Sequence, residues 1–140
     1  MSFNQINDIA ASGMAAQRLR VQLIAANIAN SETTRTAEGG PFKKKDAIFK
    51  VLDMGKNADG QAFTGVQVAE IASSNDPFIT KYEPTHPDAD AQGIVRYPNV
   101  NPVEEMVNLT EASRAFEANV AVVRAVRTMA LSAQDLLRVQ

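Results

Sequence analysis

The sequence predicts a mainly α fold with a β-rich or irregular middle, in which long N- and C-terminal helices pack as a coiled-coil-like pair. Three observations carry this expectation. All six prolines of the 140-residue chain lie between Pro41 and Pro102. Six of the seven glycines lie between Gly39 and Gly93, with Gly13 the exception, and residues 103–140 hold neither type. Of 22 alanines, seven fall in residues 10–29 and seven in residues 112–133. Alanine favours helix, whereas glycine and proline interrupt it. The chain therefore divides into an N-terminal helix (1–30), a central segment (31–100) and a C-terminal helix (101–140).

The first helix is expected from about Phe3 to Ala29. Its apolar or small positions step by three or four through Ile6, Ile9, Gly13, Ala16, Leu19, Leu23 and Ala26. That is helical periodicity, with Gln5, Asp8, Arg18 and Gln22 off the stripe. Glycine and alanine in mid-stripe permit close backbone approach but bury little area, so this helix is weakly specified alone. Asn27 and Asn30 end it three residues apart on one face. Such side chains cap carbonyls, tolerate left-handed geometry, or hydrogen-bond to a neighbouring chain.

The middle holds four candidate strands, Ala47–Leu52, Phe63–Ile71, Phe78–Tyr82 and Ile94–Tyr97. Turn signals at Gly39-Gly40-Pro41, Asp59-Gly60 and Asn75-Asp76-Pro77 separate them. Residues 84–93, rich in Asp and Pro, read as an ordered loop.

The last helix has a sharp expected start. Asn101 suits the N-cap, Pro102 the first helical position, and Glu104 the third position of a capping box. From there a stripe runs through Met106, Leu109, Ser113, Phe116, Val120, Val123, Val126, Ala130, Ala133 and Leu137, with heptad-like spacing. Glutamates crowd the first half of the helix and arginines the second, which suits the helix dipole. At about 1.5 Å per residue this rod is roughly 55 Å long, too long for the middle segment to cover. It needs another partner.

Composition excludes several classes of chemistry. There is no cysteine, so disulfides, thiolate metal sites and cysteine nucleophiles are absent. One histidine, His86, leaves no material for a multi-histidine metal cage. A net charge of −2 lacks the basic footprint of a nucleic-acid binder. No apolar run reaches the roughly 20 residues that insert across lipid. The first basic residue is Arg18, which does not suit a Sec signal. His86, between Thr85 and Pro87, reads as a loop residue. Lys43-Lys44-Lys45 reads as a solvated run. Glu104 and Glu105, adjacent on a helix, do not face each other and have a dipole explanation. Asn108-Leu109-Thr110 has the form of a glycosylation sequon but lies mid-helix. No catalytic residue, metal site or cofactor is expected.

Residues 25–36, Ala-Ala-Asn-Ile-Ala-Asn-Ser-Glu-Thr-Thr-Arg-Thr, resemble the N-terminal signature of bacterial flagellar rod and hook proteins. The Thr33-Thr34-Arg35-Thr36 stretch and Gly39-Gly40-Pro41-Phe42 look like the proximal-rod members in particular. Tyr82-Glu83-Pro84, His86-Pro87-Asp88-Ala89 and Gly93 are similar to that family's central loop. Tyr97-Pro98-Asn99-Val100, Glu104-Glu105-Met106-Val107 and residues 112–119 resemble its C-terminal helix. Phe116 stands where a tyrosine is often expected.

The resemblance implies a structural, non-enzymatic subunit of the basal-body rod, a hollow helical tube that crosses the periplasm as driveshaft and export channel. The terminal helices would form its inner layer. Implied partners are other rod subunits, copies of itself, and the MS-ring or export-gate proteins at the rod base; export is by the flagellar type III apparatus. Among expected interface residues, Asn27, Asn30 and Thr33 set the helix exit and register, Phe116 and Val120 anchor packing, and Arg114 and Glu117 make polar register contacts. Ile9, Gly13, Ala16 and Leu23 line the first helix, and Met106, Leu109, Ser113, Val123 and Leu137 the last. In the free subunit both terminal helices are expected to order only on assembly. The alternative is a coiled-coil adaptor closed as a homodimer, which would bury the same stripe.

Overall fold

The computed structural model describes residues 2–56 and 60–138. Its elements, in order, are α1 (Phe3–Ala29), β1 (Lys45–Lys56), β2 (Ala62–Ser73), β3 (Ile79–Tyr82), β4 (Ile94–Tyr97) and α2 (Pro102–Arg138). It is mainly α with a small antiparallel β middle.

Local chemistry sets the helix ends. At the start of α1 the Ser2 hydroxyl accepts from the Gln5 N–H at 3.3 Å, and the Ser2 N–H donates to Gln5 Oε1 at 2.8 Å. This reciprocal pair satisfies two of the donors that a helix start leaves unmade. At the other end Asn30 Nδ2 donates to the Ala26 carbonyl at 2.9 Å. Asn30 adopts φ −104°, so it caps without entering the left-handed region. Asn101 Oδ1 accepts from the Val103 N–H at 3.1 Å and starts α2 around Pro102.

The two helices run antiparallel, with Asn27 beside Glu105 and Gly13 beside Asn119. A Cβ on Gly13 would lie 3.0 Å from Asn119 Nδ2, so the small residue sets how near the helices come there. The α1-facing line of α2 is Glu105, Ala112, Asn119 and Val126, at heptad spacing. The stripe read from hydropathy lies one position further along at Met106, Ser113 and Val120 and meets this line at Val126. Met106 is 56% exposed and Leu137 78%, while Leu109, Ser113, Phe116, Val120 and Val123 are half-buried. The rotation has a physical cause: Glu105 finds donors inside the protein, and Ala112 lets the helices approach.

The strands form two separate ribbons rather than one sheet. β1 pairs with β2 from Lys45↔Ser73 through Val51↔Val66 to Lys56↔Ala62, with irregularities after Ile48 and Asp53. Both strands outrun the expected limits because ladder pairing continues through polar ends that hydropathy does not mark. Gly60 has φ +78°; Asp59, the other half of the expected turn, lies outside the described residues. β3 pairs with β4 from Ile79↔Tyr97 to Tyr82↔Ile94.

The β1–β2 ribbon lies on α1 through Ser12. Its hydroxyl donates to the Ile9 carbonyl at 2.7 Å and accepts from the Val66 N–H at 3.1 Å. Gly65 is buried there, and a Cβ on it would fall 2.5 Å from Ser12 Oγ and 2.7 Å from Met54 Sδ. Among the described residues the buried hydrophobic core is small: Ala10, Ala16, Ile24, Val95, Val100, Ala112 and Val126, with Pro98 also buried. The accessible surface is 9668 Å², against about 7,100 Å² for a compact monomer of this mass. No described helix is long and apolar enough to cross a membrane.

Gly65→Val should lift the ribbon from α1 and lower stability by about 1–3 kcal/mol, the usual range for overpacking. The urea midpoint checks this. A midpoint equal to that of the parent protein would show that Ser12 and Met54 yield freely.

Candidate assembly surface and its buried hub

Three elements meet at one side chain. Asn27 is fully buried in the last turns of α1. Its Oδ1 accepts from the Lys45 N–H at 2.9 Å, and its Nδ2 donates to the Lys45 carbonyl at 2.9 Å. The amide thus pairs with the first residue of β1 as a peptide group of a neighbouring strand would. Nδ2 also donates to Glu105 Oε2 at 3.0 Å, which joins α2 to the same point.

Glu105 is only 1% exposed. Besides Asn27 it receives Lys44 Nζ at 3.0 Å and Asn108 Nδ2 at 3.4 Å, both on Oε1. Burial pushes its carboxyl pKa up, but the bonds from Asn27 and Lys44, the Lys44 charge and Asn108 together hold it below its ordinary value. For Lys44, burial pushes the pKa down, and Glu105, aided by the charges of Asp46 and Glu104, carries it above its ordinary value. The lysine run is therefore not uniformly solvated. Lys43 points to solvent, Lys44 buries its ammonium against Glu105, and Lys45 gives its backbone to Asn27. The neighbouring glutamates also part company, Glu104 exposed and Glu105 buried.

A second cluster ties the loop after α1 to the loop between β3 and β4. Thr34 Oγ1 donates to Asp88 Oδ2 at 2.7 Å, and Arg35 pairs with Asp88 Oδ1 at 2.7 Å. His86 Nδ1 accepts the Asp88 N–H at 3.0 Å, which makes the histidine a loop brace. Tyr97 Oη donates to Glu83 Oε2 at 2.8 Å, its ring lies edge-on to His86, and Lys81 sits 4.6 Å from the ring centre. No cluster of three or more metal-ligating side chains occurs among the described residues.

The expected interface residues fall into three settings. Asn27, Asn30 and Thr33 come together at the helix exit, where Thr33 Oγ1 donates to Asn30 Oδ1 at 3.1 Å. Ala16 is buried, and Ile9, Gly13, Leu23, Leu109, Ser113, Phe116, Val120 and Val123 are half-buried along the two-helix body. Met106, Arg114, Glu117 and Leu137 are exposed. Val21 and Phe116, flanked by Arg18 and Glu117, floor a shallow apolar groove of about 310 Å³ between the helices. Glu105 and Lys44 were not among the expected residues. Their charges mark them for the surface in any hydropathy reading, and only their spacing to Asn27 in the fold reveals them.

A family model described as "Flagella basal body rod protein" matches residues 8–35. A second, "Flagellar basal body rod FlgEFG protein C-terminal", matches residues 91–136. The chain is 41% identical over 152 residues to the flagellar basal-body rod protein FlgC of Borreliella burgdorferi, covering 97% of each chain. Its similarity to FlgC of Salmonella typhimurium is 41% over 136 residues, covering 97% of this chain and 98% of the relative. The chain belongs to the FlgC family of flagellar basal-body rod proteins. FlgC of Bacillus subtilis is 34% identical over 147 residues, covering 96% and 97%. As a member of this family the chain is a structural subunit of the basal-body rod, located in the basal body and assembled with other components there. The relatives give no support to a closed adaptor dimer. The hub joins the two regions matched by the family models, Asn27 lying in one and Glu105 in the other.

Asn27→Ala should cost about 2–4 kcal/mol, because several buried groups lose their partner at once. Asn27→Asp should cost more at neutral pH, since it sets a second carboxylate against Glu105 and the Lys45 carbonyl; lowering the pH should narrow the gap. Urea midpoints of the two variants across pH test this order.

Glu105 binds its proton more weakly in the folded chain, so its contribution is present above the ordinary carboxylate pKa and is lost as pH falls through the depressed one. Lys44 holds its proton more tightly, so its share is present below the ordinary lysine value and is lost as pH rises through the raised one. Glu105→Gln should lower stability between those limits by about 2–3 kcal/mol. That lies at the low end of what breaking a buried ion pair costs, because Lys44 keeps a fifth of its side chain in water. It should also flatten the acid limb of the stability curve.

Proposed function

We propose that the chain is a non-enzymatic subunit of the proximal part of the rod, assembling helically with other rod proteins and copies of itself. Residues 1–30 and 101–140 form the inner helical layer of the tube, and residues 31–100 lie outside it. The tube crosses the periplasm as driveshaft and export channel. The subunit reaches it through the flagellar type III apparatus, and its base contacts are with MS-ring or export-gate proteins. The observation that carries this reading is the near-full-length likeness to FlgC proteins. The surplus of exposed surface on a chain with so small a core supports it. Heterologous contacts that do not close give open helical assemblies. The expected interface residues on the surface, Met106, Arg114, Glu117 and Leu137, are the ones such contacts would reach first.

A tagged copy expressed in a strain deleted for this chain should restore rods and co-purify with isolated basal bodies; intact rods in its absence would reject the reading. Amide exchange on the free protein, with its mass followed by light scattering, tests the folding half. Fast exchange in residues 3–20 and 115–138 of a monomer, slowed in basal bodies, is expected. Slow exchange there in a stable free dimer would overturn ordering on assembly.

A further inference from the structure

One side of α2 carries a second heptad seam that no other described element covers. From Glu111 to Leu136, steps of four and three pass through Ala115, Ala118, Val122, Ala125, Met129 and Ser132, all exposed except the half-buried Ala115. Val122 is 42% exposed, Met129 50% and Leu136 74%. No residue of the seam after Glu111 is charged. Glu111, Ala118 and Ala125 each precede by one position a member of the α1-facing line Ala112, Asn119 and Val126, so the two faces of α2 differ by about 100°. α1 has a matching outer face. From Asn4 to Ala29, steps of four and three pass through Asp8, Ala11, Ala15, Arg18, Gln22 and Ala25, all exposed. That face is turned about 200° from the Gly13–Asn27 line that meets α2.

We infer that the α2 seam of one copy packs antiparallel on the outer face of α1 of a neighbouring copy of this chain. The inference rests on the rod-subunit reading and names the lateral contact within it. Both faces span 25 residues with the same alternation of steps, the condition for knobs-into-holes packing. With an antiparallel offset close to that found inside the chain, Ala11 faces Val122, Ala15 faces Ala118, Arg18 faces Ala115 and Gln22 faces Glu111. Val122 meets a small side chain, and Arg18 lies one turn from Glu111 across the contact, within reach of its long side chain, while Asp8 faces Ala125. Neither Arg18 nor Glu111 has an ion-pair partner among the described residues. The contact is heterologous, using different surfaces on the two copies, so it propagates α1–α2–α1–α2. Because the two faces of α2 are not opposite each other, the row bends as it grows, as the wall of a tube must.

The absence of cysteine makes the test direct. Purified full chains carrying Ala11→Cys and Val122→Cys on separate copies are mixed at high micromolar concentration, where association orders both helices as followed by light scattering and amide exchange, and oxidised. A mixed disulfide is expected in clear excess over that from a mixture of Ala11→Cys with Val51→Cys, whose residue is more exposed than Val122 but lies on the ribbon. Adding Glu111→Arg to the Val122→Cys copy should cut the mixed yield up to about fivefold, the ceiling for an exposed ion pair, and Arg18→Glu on the other copy should restore it. A mixed yield no higher than the Val51 control overturns the contact, whether or not the chain co-purifies with basal bodies. Absence from basal bodies with the disulfide intact overturns the rod reading alone.

Discussion

The buried Glu105 carboxylate is the constraint on which the rest of the structure depends. A charge taken out of water is tolerated only with its partners in place, and its partners come from three parts of the chain: Asn27 from the end of α1, Lys44 from the entry to β1, Asn108 from α2 itself. Satisfying Glu105 therefore sets the angle of the chain leaving α1, the start of the β1–β2 ribbon and the offset of the two helices in one step. A wholly apolar contact among alanines would permit sliding by a turn. The hub does not, because a shift of one residue removes donors from a carboxylate that has no water to replace them.

Away from the hub the chain is held lightly. The helix seam is built from Gly13, Ala10, Ala16 and Ala112, which bring backbones close while burying little area. Outside the hub a serine hydroxyl bonds the ribbon to α1 beside Gly65, and the loops are braced by Asp88 and Tyr97. Apolar side chains that a self-sufficient globule would bury, such as Met129, Leu136 and Leu137, stand in solvent. A rod subunit has good use for this division. The hub supplies one defined shape, and the uncovered helix faces leave the larger part of the hydrophobic gain for contacts between subunits.

Much of the fold was legible in the residues. The limits of α1 and the start of α2 followed from caps and from glycine and proline placement, and four strands were found near their positions. Their pairing as two ribbons was not legible, since short two-stranded ladders differ from one sheet only in which edges meet. The site was less legible than the fold. Hydropathy placed Met106 on the apolar stripe and gave Glu105 only a role at the helix dipole. Yet within the chain Met106 is exposed and Glu105 is buried, because hydropathy ranks a side chain without knowing what donors await it. The same blindness made Lys44 one of three equivalent lysines.

The sequence by itself determined the element types, the helix ends and the family, because caps, breakers and the Asn27–Thr36 signature are local in the chain. Tertiary structure alone decided which face of α2 turns inward, that Lys44 rather than Lys43 or Lys45 pairs with the buried Glu105, and that Asn27 pairs with a strand instead of merely ending a helix. Each of those outcomes depends on a polar partner far away in the chain, 18 residues for Asn27 with Lys45 and 78 for Asn27 with Glu105. The energy of a buried charge is set by the donors around it, and no local pattern records where they come from.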